Sequence, residues 1–232
     1  MSAAPLLLVF AAALAATPLA PIAPIAPTAP IAPVAPAADP ERLSERAHQD
    51  REIVYFLRPP ETHAFDLYHD YTESRPGVAR YLNVVRKGSA ASAPSARLLD
   101  TGEVLKVEVL KGEAVLKSAT PGEDTEGMEA ESEVVVAHFP AVAPGTSARL
   151  RIAETYTDPK SYRLEGDELV FDRTFGRPRN AVVLPAGWYL TASAIPAVVS
   201  ETADGRIRLD FLNPRPDEIA VFIKARRRPA GR

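Results

Sequence analysis

Asp204-Gly205-Arg206-Ile207-Arg208-Leu209-Asp210-Phe211 is followed, past Asn213-Pro214-Arg215-Pro216-Asp217, by Ile219-Ala220-Val221-Phe222-Ile223. Ile207, Leu209 and Phe211 alternate with Arg208 and Asp210. Successive side chains of a strand point to opposite faces, so this is the pattern of a strand buried on one side. Asp204-Gly205 supplies a tight turn ahead of it, since Gly takes positive φ freely. The proline-bearing segment breaks the strand, and Ile219, Val221 and Ile223 resume it. The expectation is a two-stranded antiparallel pair whose apolar side chains enter one core.

The same pattern recurs outward along the chain. Runs of apolar and β-branched residues stand at 53–57, 65–71, 78–85, 104–110, 114–117, 134–139, 148–156, 169–175, 181–184 and 195–200, with Gly and Pro between nearly all of them. Short strands at this spacing predict an all-β fold, a β-sandwich built as one large or two small packed β modules over residues 39–232. No long amphipathic helix lies between the runs, which argues against parallel α/β architecture. Asp39-Pro40-Glu41 reads as a helix start, with Asp at the N-cap and Pro at the first helical position, and predicts a short N-terminal helix through about Arg51.

Ahead of this domain the composition changes. Residues 1–38 contain no Asp, Glu, Lys, Arg or His. Leu6-Leu7-Leu8-Val9-Phe10 and the Ala-rich stretch to Ala16 have the length of a signal-peptide core, about 7 to 15 residues, and Ala13-Leu14-Ala15 is a small-x-small cleavage pattern. Residues 1–16 are therefore expected to be a signal peptide, leaving no transmembrane span after cleavage. Residues 17–38 form a Pro/Ala-rich spacer: Pro18, Pro21, Pro24, Pro27, Pro30, Pro33 and Pro36 recur at every third position. That period is one turn of a polyproline II helix, which at about 3.1 Å per residue gives the spacer a reach of roughly 60 Å. The expected location is exported, periplasmic or extracellular.

The net charge is −3, with 30 acids against 27 bases, so no global basic field points to nucleic acid. The chain has no Cys, which removes disulfides and thiolate metal sites. No Gly-x-Ser-x-Gly, His-Glu-x-x-His, P-loop or Gly-x-Gly-x-x-Gly is present, and no cofactor is expected.

A few side chains stand out. Arg173, Arg177 and Arg179 surround Phe175-Gly176 and Pro178 and lie near Trp188-Tyr189 in sequence, a combination that could form a platform for a sugar, peptide or anion. Trp188, the chain's one Trp, could equally fill the core. His63 and His69 are six apart, which in a strand would place them on one face. With His138 they are weak candidates for a metal site, since the spacing follows no established ligand motif. The acids from Glu123 to Glu133 read as a solvated loop, and Lys224, Arg226, Arg227, Arg228 and Arg232 as a solubilising basic tail.

One phrase, Ala137-His138-Phe139-Pro140-Ala141-Val142-Ala143-Pro144-Gly145 running on to Tyr156-Thr157, resembles a strand-turn-strand segment of β-sandwich domains that precede secreted transglutaminase-like or peptidase domains. The resemblance covers about a tenth of the chain and gives no residue a role. The functional expectation is an extracytoplasmic, non-catalytic module that binds a protein or cell-surface component or serves an accessory role in the cell envelope. The alternative is a secreted hydrolase acting on polysaccharide or peptide through paired carboxylates. A deep pocket with facing carboxylates, or with a His and a carboxylate partner, would favour the enzyme. An aromatic patch or an open sheet edge would favour the binding module.

Overall fold

The computed structural model describes residues 50–120, 123–125, 127–215 and 217–229. The expected signal peptide, the spacer and the body of the expected N-terminal helix lie outside them. Arg51, placed at that helix's end from sequence, instead opens a strand. Among the described residues no helix is long and apolar enough to cross a membrane.

The fold is nearly all β, in three sheets packed together. The largest is seven-stranded, in the order β12 (Val198–Glu201), β13 (Ile207–Leu212), β10 (Arg179–Val183), β1 (Arg51–Leu57), β2 (Ala64–Glu73), β7 (Ala148–Thr157), β4 (Ala90–Leu98). Its neighbours pair antiparallel except β1 and β10, which run parallel. A four-stranded sheet holds β11 (Trp188–Ser193), β14 (Ile219–Arg227), β9 (Glu168–Phe175) and β8 (Tyr162–Glu165). A three-stranded sheet holds β3 (Arg80–Val84), β6 (Glu133–His138) and β5 (Val107–Lys111).

Alternation along β2 shows how the layers stack. Phe65 and Leu67 enter a core shared with Phe171, Val221 and Ile223 of the four-stranded sheet. Tyr71, of the same parity, enters a core shared with Tyr81 and Ala137 of the three-stranded sheet. Both smaller sheets therefore cover one face of the large sheet. The other face carries the buried Val54, Ala181 and Val183. Over this face Arg151 stacks 4.0 Å from the Tyr68 ring and Arg208 reaches Asp210 and Glu52.

The two strands read from the opening stretch do not pair with each other. β13 pairs with β10 and β12, and β14 with β9 and β11, in opposite layers. Their apolar side chains still meet in one core, with Leu209, Phe211, Val221 and Ile223 buried and Ile207 and Ile219 packed against them. The run at 114–117 lies in helix α1 (Gly112–Lys117) rather than in a strand. Gly112-Glu113-Ala114-Val115-Leu116-Lys117 is rich in helix formers, and Lys117 Nζ pairs with Glu113 one turn back. Gly112 is required there, because a Cβ would lie 2.0 Å from the Glu129 carbonyl oxygen.

Candidate functional site: an arginine-lined cleft

Because the second layer is divided, a cleft of about 240 Å³ lies between its parts. Its floor is the large sheet, from which Arg51, Ile53, Tyr55, Leu67, His69, Tyr156 and Asn180 contribute. One wall is β3 with the following Arg86, and the other is the end of β9 with Gly176 and Arg177. Four guanidinium groups line it, those of Arg51, Arg86, Arg173 and Arg177, against two carboxylates, Asp124 and Glu218.

Arg51 is 5% exposed. It shares its face of β1 with Ile53, Tyr55 and Leu57, so strand parity aims a cation at the core. Its guanidinium lies 4.4 Å from the Tyr71 ring and 5.2 Å from the Tyr81 ring. No carboxylate of the described residues lies within ion-pair reach, and the buried Nε has no hydrogen-bond partner. Stacking on aromatic faces stabilises a desolvated guanidinium only in part, and a buried charge ordinarily needs a counter-charge.

Arg173 likewise occupies a core-facing strand position, on β9 between Phe171 and Phe175, but it has a carboxylate partner. Its Nη1 donates to Asp158 Oδ2 at 3.0 Å, and the guanidinium lies 5.4 to 5.8 Å from the Phe65, Tyr156 and Tyr55 rings. Arg86 donates through Nη2 to the Thr174 hydroxyl at 3.1 Å, with no carboxylate of the described residues in ion-pair reach. Burial, and then the charge of Arg173, lower its pKa from the usual guanidinium value, yet an arginine stays protonated. Arg177 Nη2 lies 3.7 Å from Asp124. Asn180 donates through Nδ2 to the Arg177 carbonyl at 2.8 Å, while its buried Oδ1 has no partner.

The histidine on the floor reports this field. His69 Nδ1 lies 3.1 Å from the Tyr81 hydroxyl. Burial, and then the charges of Arg51, Arg177 and Arg173, hold its pKa well below the usual imidazole value, so the ring is neutral. Beside the cleft stands a second misfit. Glu154 is 4% exposed, between Ile152 and Tyr156 on the buried face of β7. Asn83 Nδ2 donates to its Oε1 at 2.5 Å and to the Tyr156 hydroxyl at 3.1 Å, while Oε2 is buried without a partner. Burial pushes the Glu154 carboxyl up to about 7 against the opposing Asn83 hydrogen bond.

Of the platform residues read from sequence, Arg173 and Arg177 come together in the cleft. Arg179 does not; its Nη2 bonds Asp50 at an exposed site. Trp188 is buried in the main core with Arg227 stacked 5.0 Å from its ring. Tyr189 is partly exposed on β11, separated from β9 by β14.

The three histidines lie apart. His63 ends a 3-10 turn (Pro60–Thr62) with φ 52°, just before β2, so it falls outside the strand alternation that would align it with His69. Its Nδ1 meets the Tyr162 carbonyl. His138 Nε2 lies 2.6 Å from Glu108 on the three-stranded sheet, outside the cleft. Among the described residues no group of three His, Cys, Asp or Glu could hold a metal ion.

The acidic loop and basic tail are also corrected in part. The Glu123 side chain is covered by Arg80, which donates to it through Nε and Nη2. β14 extends to Arg227, with Lys224 and Arg226 bound to Glu168 and Arg227 to Glu61.

Sequence reasoning missed Arg51, Arg86, Asn180 and Glu154. For Glu154 the signal was present: it is an ionisable residue whose neighbours two away are apolar, as are those of His69 and Arg173, whereas Arg51 stands at the start of the alternation that runs on through Ile53, Tyr55 and Leu57.

No protein-family model matches the chain, and neither does any curated protein. Solved structures of M1 zinc metallopeptidase from Deinococcus radiodurans align with 76% of this chain and 41% of theirs, at 14% identity and a TM-score of 0.42. An aminopeptidase N family protein from Idiomarina loihiensis aligns over 75% of this chain and 29% of its own, at 11% identity and a TM-score of 0.42. The chain thus spans less than half the length of the proteins it aligns with.

Proposed function

We propose that this chain is a non-catalytic, extracytoplasmic β-sandwich module that holds an anionic group of a protein or cell-surface component in the arginine-lined cleft. The observation that carries the reading is Arg51, buried, aimed into the cleft and without a carboxylate partner among the described residues. Arginine is the side chain least suited to proton transfer and best suited to holding an oxyanion, because it stays protonated and presents a planar fork of donors. His69, the imidazole in the cleft, is neutral and engaged with Tyr81. Support for export comes from the apolar leader and proline spacer of the sequence.

A binding site for an anion stabilises the folded state by mass action. Thermal melts in rising citrate or inorganic phosphate, against chloride at matched ionic strength, should show a melting temperature that climbs with the oxyanion. A melting temperature indifferent to the choice of anion would refute the reading.

A further inference from the structure

We infer that the cleft takes an extended acidic peptide segment, added as a strand to the open edge of β3. This rests on the anion-binding reading and names the partner's chemistry. The carrying observation is which main-chain groups face the cleft. Val85 N–H donates to the Glu133 carbonyl and Phe139 N–H to the Ala79 carbonyl, both in the β3–β6 register. Hydrogen-bonded pairs alternate along an antiparallel ladder, so Tyr81 and Asn83 turn their backbone groups toward β6. Leu82 and Val84 turn theirs the other way, and both residues line the cleft. The Leu82 side chain packs with Val115, Val134 and Val136, so the main chain is what Leu82 presents there.

The opposite wall has the same property over a shorter length. Asp172 N–H donates to the Ser161 carbonyl, which continues the β8 register and places Thr174 on that same edge, past the start of β8. Thr174 therefore presents its N–H and C=O toward the cleft, where Arg86 Nη2 donates to its hydroxyl at 3.1 Å and to its carbonyl at 3.4 Å. Open strand edges on both walls suit a strand, and strand addition gives affinity through main-chain hydrogen bonds. Charge complementarity selects its side chains. An extended segment on β3 sends alternate residues down to the floor, where Arg51 and Arg173 stand, and a carboxylate there supplies the counter-charge Arg51 lacks.

The test uses the full chain and a short synthetic peptide of alternating Glu and Val. Its controls are the Lys-Val counterpart and a Glu-Val peptide N-methylated along one edge. Amide hydrogen exchange should show protection at Leu82, Val84 and Thr174 with the Glu-Val peptide. Affinity should fall about tenfold or more with the Lys-Val or N-methylated peptide. Leu82→Pro should weaken binding similarly while keeping the fold, because that N–H faces away from β6; a melt checks the fold, and the N-methylated peptide needs no variant. If inorganic phosphate binds but the Glu-Val peptide protects none of these amides, strand addition is refuted and the anion site stands. If neither binds, both readings fail. Equal binding of the Lys-Val peptide would also overturn the inference.

Discussion

Arg51, His69, Glu154 and Arg173 share one property: each occupies a strand position whose parity belongs to the core. An apolar residue at any of them would bury without electrostatic cost, so each polar group lowers stability unless something answers its charge. Glu154 makes the cost measurable. A carboxyl whose pKa is higher folded than unfolded binds its proton more readily in the folded state, so stability falls as pH rises between the two values. For Glu154 that window runs from its ordinary 4.5 to about 7, and above it the full cost of a buried charge remains. Glu154→Gln should leave stability near wild type at pH 4 to 5 and raise it by about 1 to 3 kcal/mol at pH 8. Urea unfolding at both pH values checks this, and a gain that is the same at both would contradict it. His69, Glu154 and Arg173 were legible in the sequence as interruptions of apolar alternation, and Arg51 as the polar start of one. Their convergence was not, because it depends on how β1, β2, β7 and β9 stack, and alternation is silent about which strands face each other.

At the level of elements, alternation gave the right faces and the wrong partners. The parity of Leu209 and Val221 follows from each strand's own sequence, whereas pairing depends on contacts far along the chain. β4 escaped notice because Ala-Ala-Ser-Ala-Pro-Ser-Ala has little β-forming character; it persists as an edge strand, where Pro94 sits beside a bulge between Ser92 and Ser95. The run at 114–117 resembles a strand in sequence yet lies in α1, because so short a stretch cannot separate the two periods. Leu209→Ala should cost about 2 to 5 kcal/mol, since the side chain is fully buried between two layers. Arg208→Ala, losing partly exposed ion pairs with Asp210 and Glu52, should cost about 1 kcal/mol or less. Denaturant midpoints of the two variants decide the matter, and equal losses would mean that a further layer lies over the arginine face.

At the largest scale, the described residues form a sandwich with a divided second layer. A continuous second sheet would bury the floor of β1 and β2 under strands. The division between β3 and β9 instead leaves aromatic rings and guanidinium groups facing a cleft. The all-β class was legible from strand spacing, but the division was not, because it is a matter of which edges stay unpaired. Function at this cleft depends on whether Arg51 holds an anion there. Calorimetric titration of the full chain with citrate, set beside Arg51→Met and Arg179→Met, tests that most directly. Met keeps much of the apolar stem, and Arg179 lies outside the cleft. The expected result is binding by wild type and by Arg179→Met, with affinity lowered about tenfold or more in a folded Arg51→Met. Citrate binding unchanged in Arg51→Met, or lost instead in Arg179→Met, would contradict it.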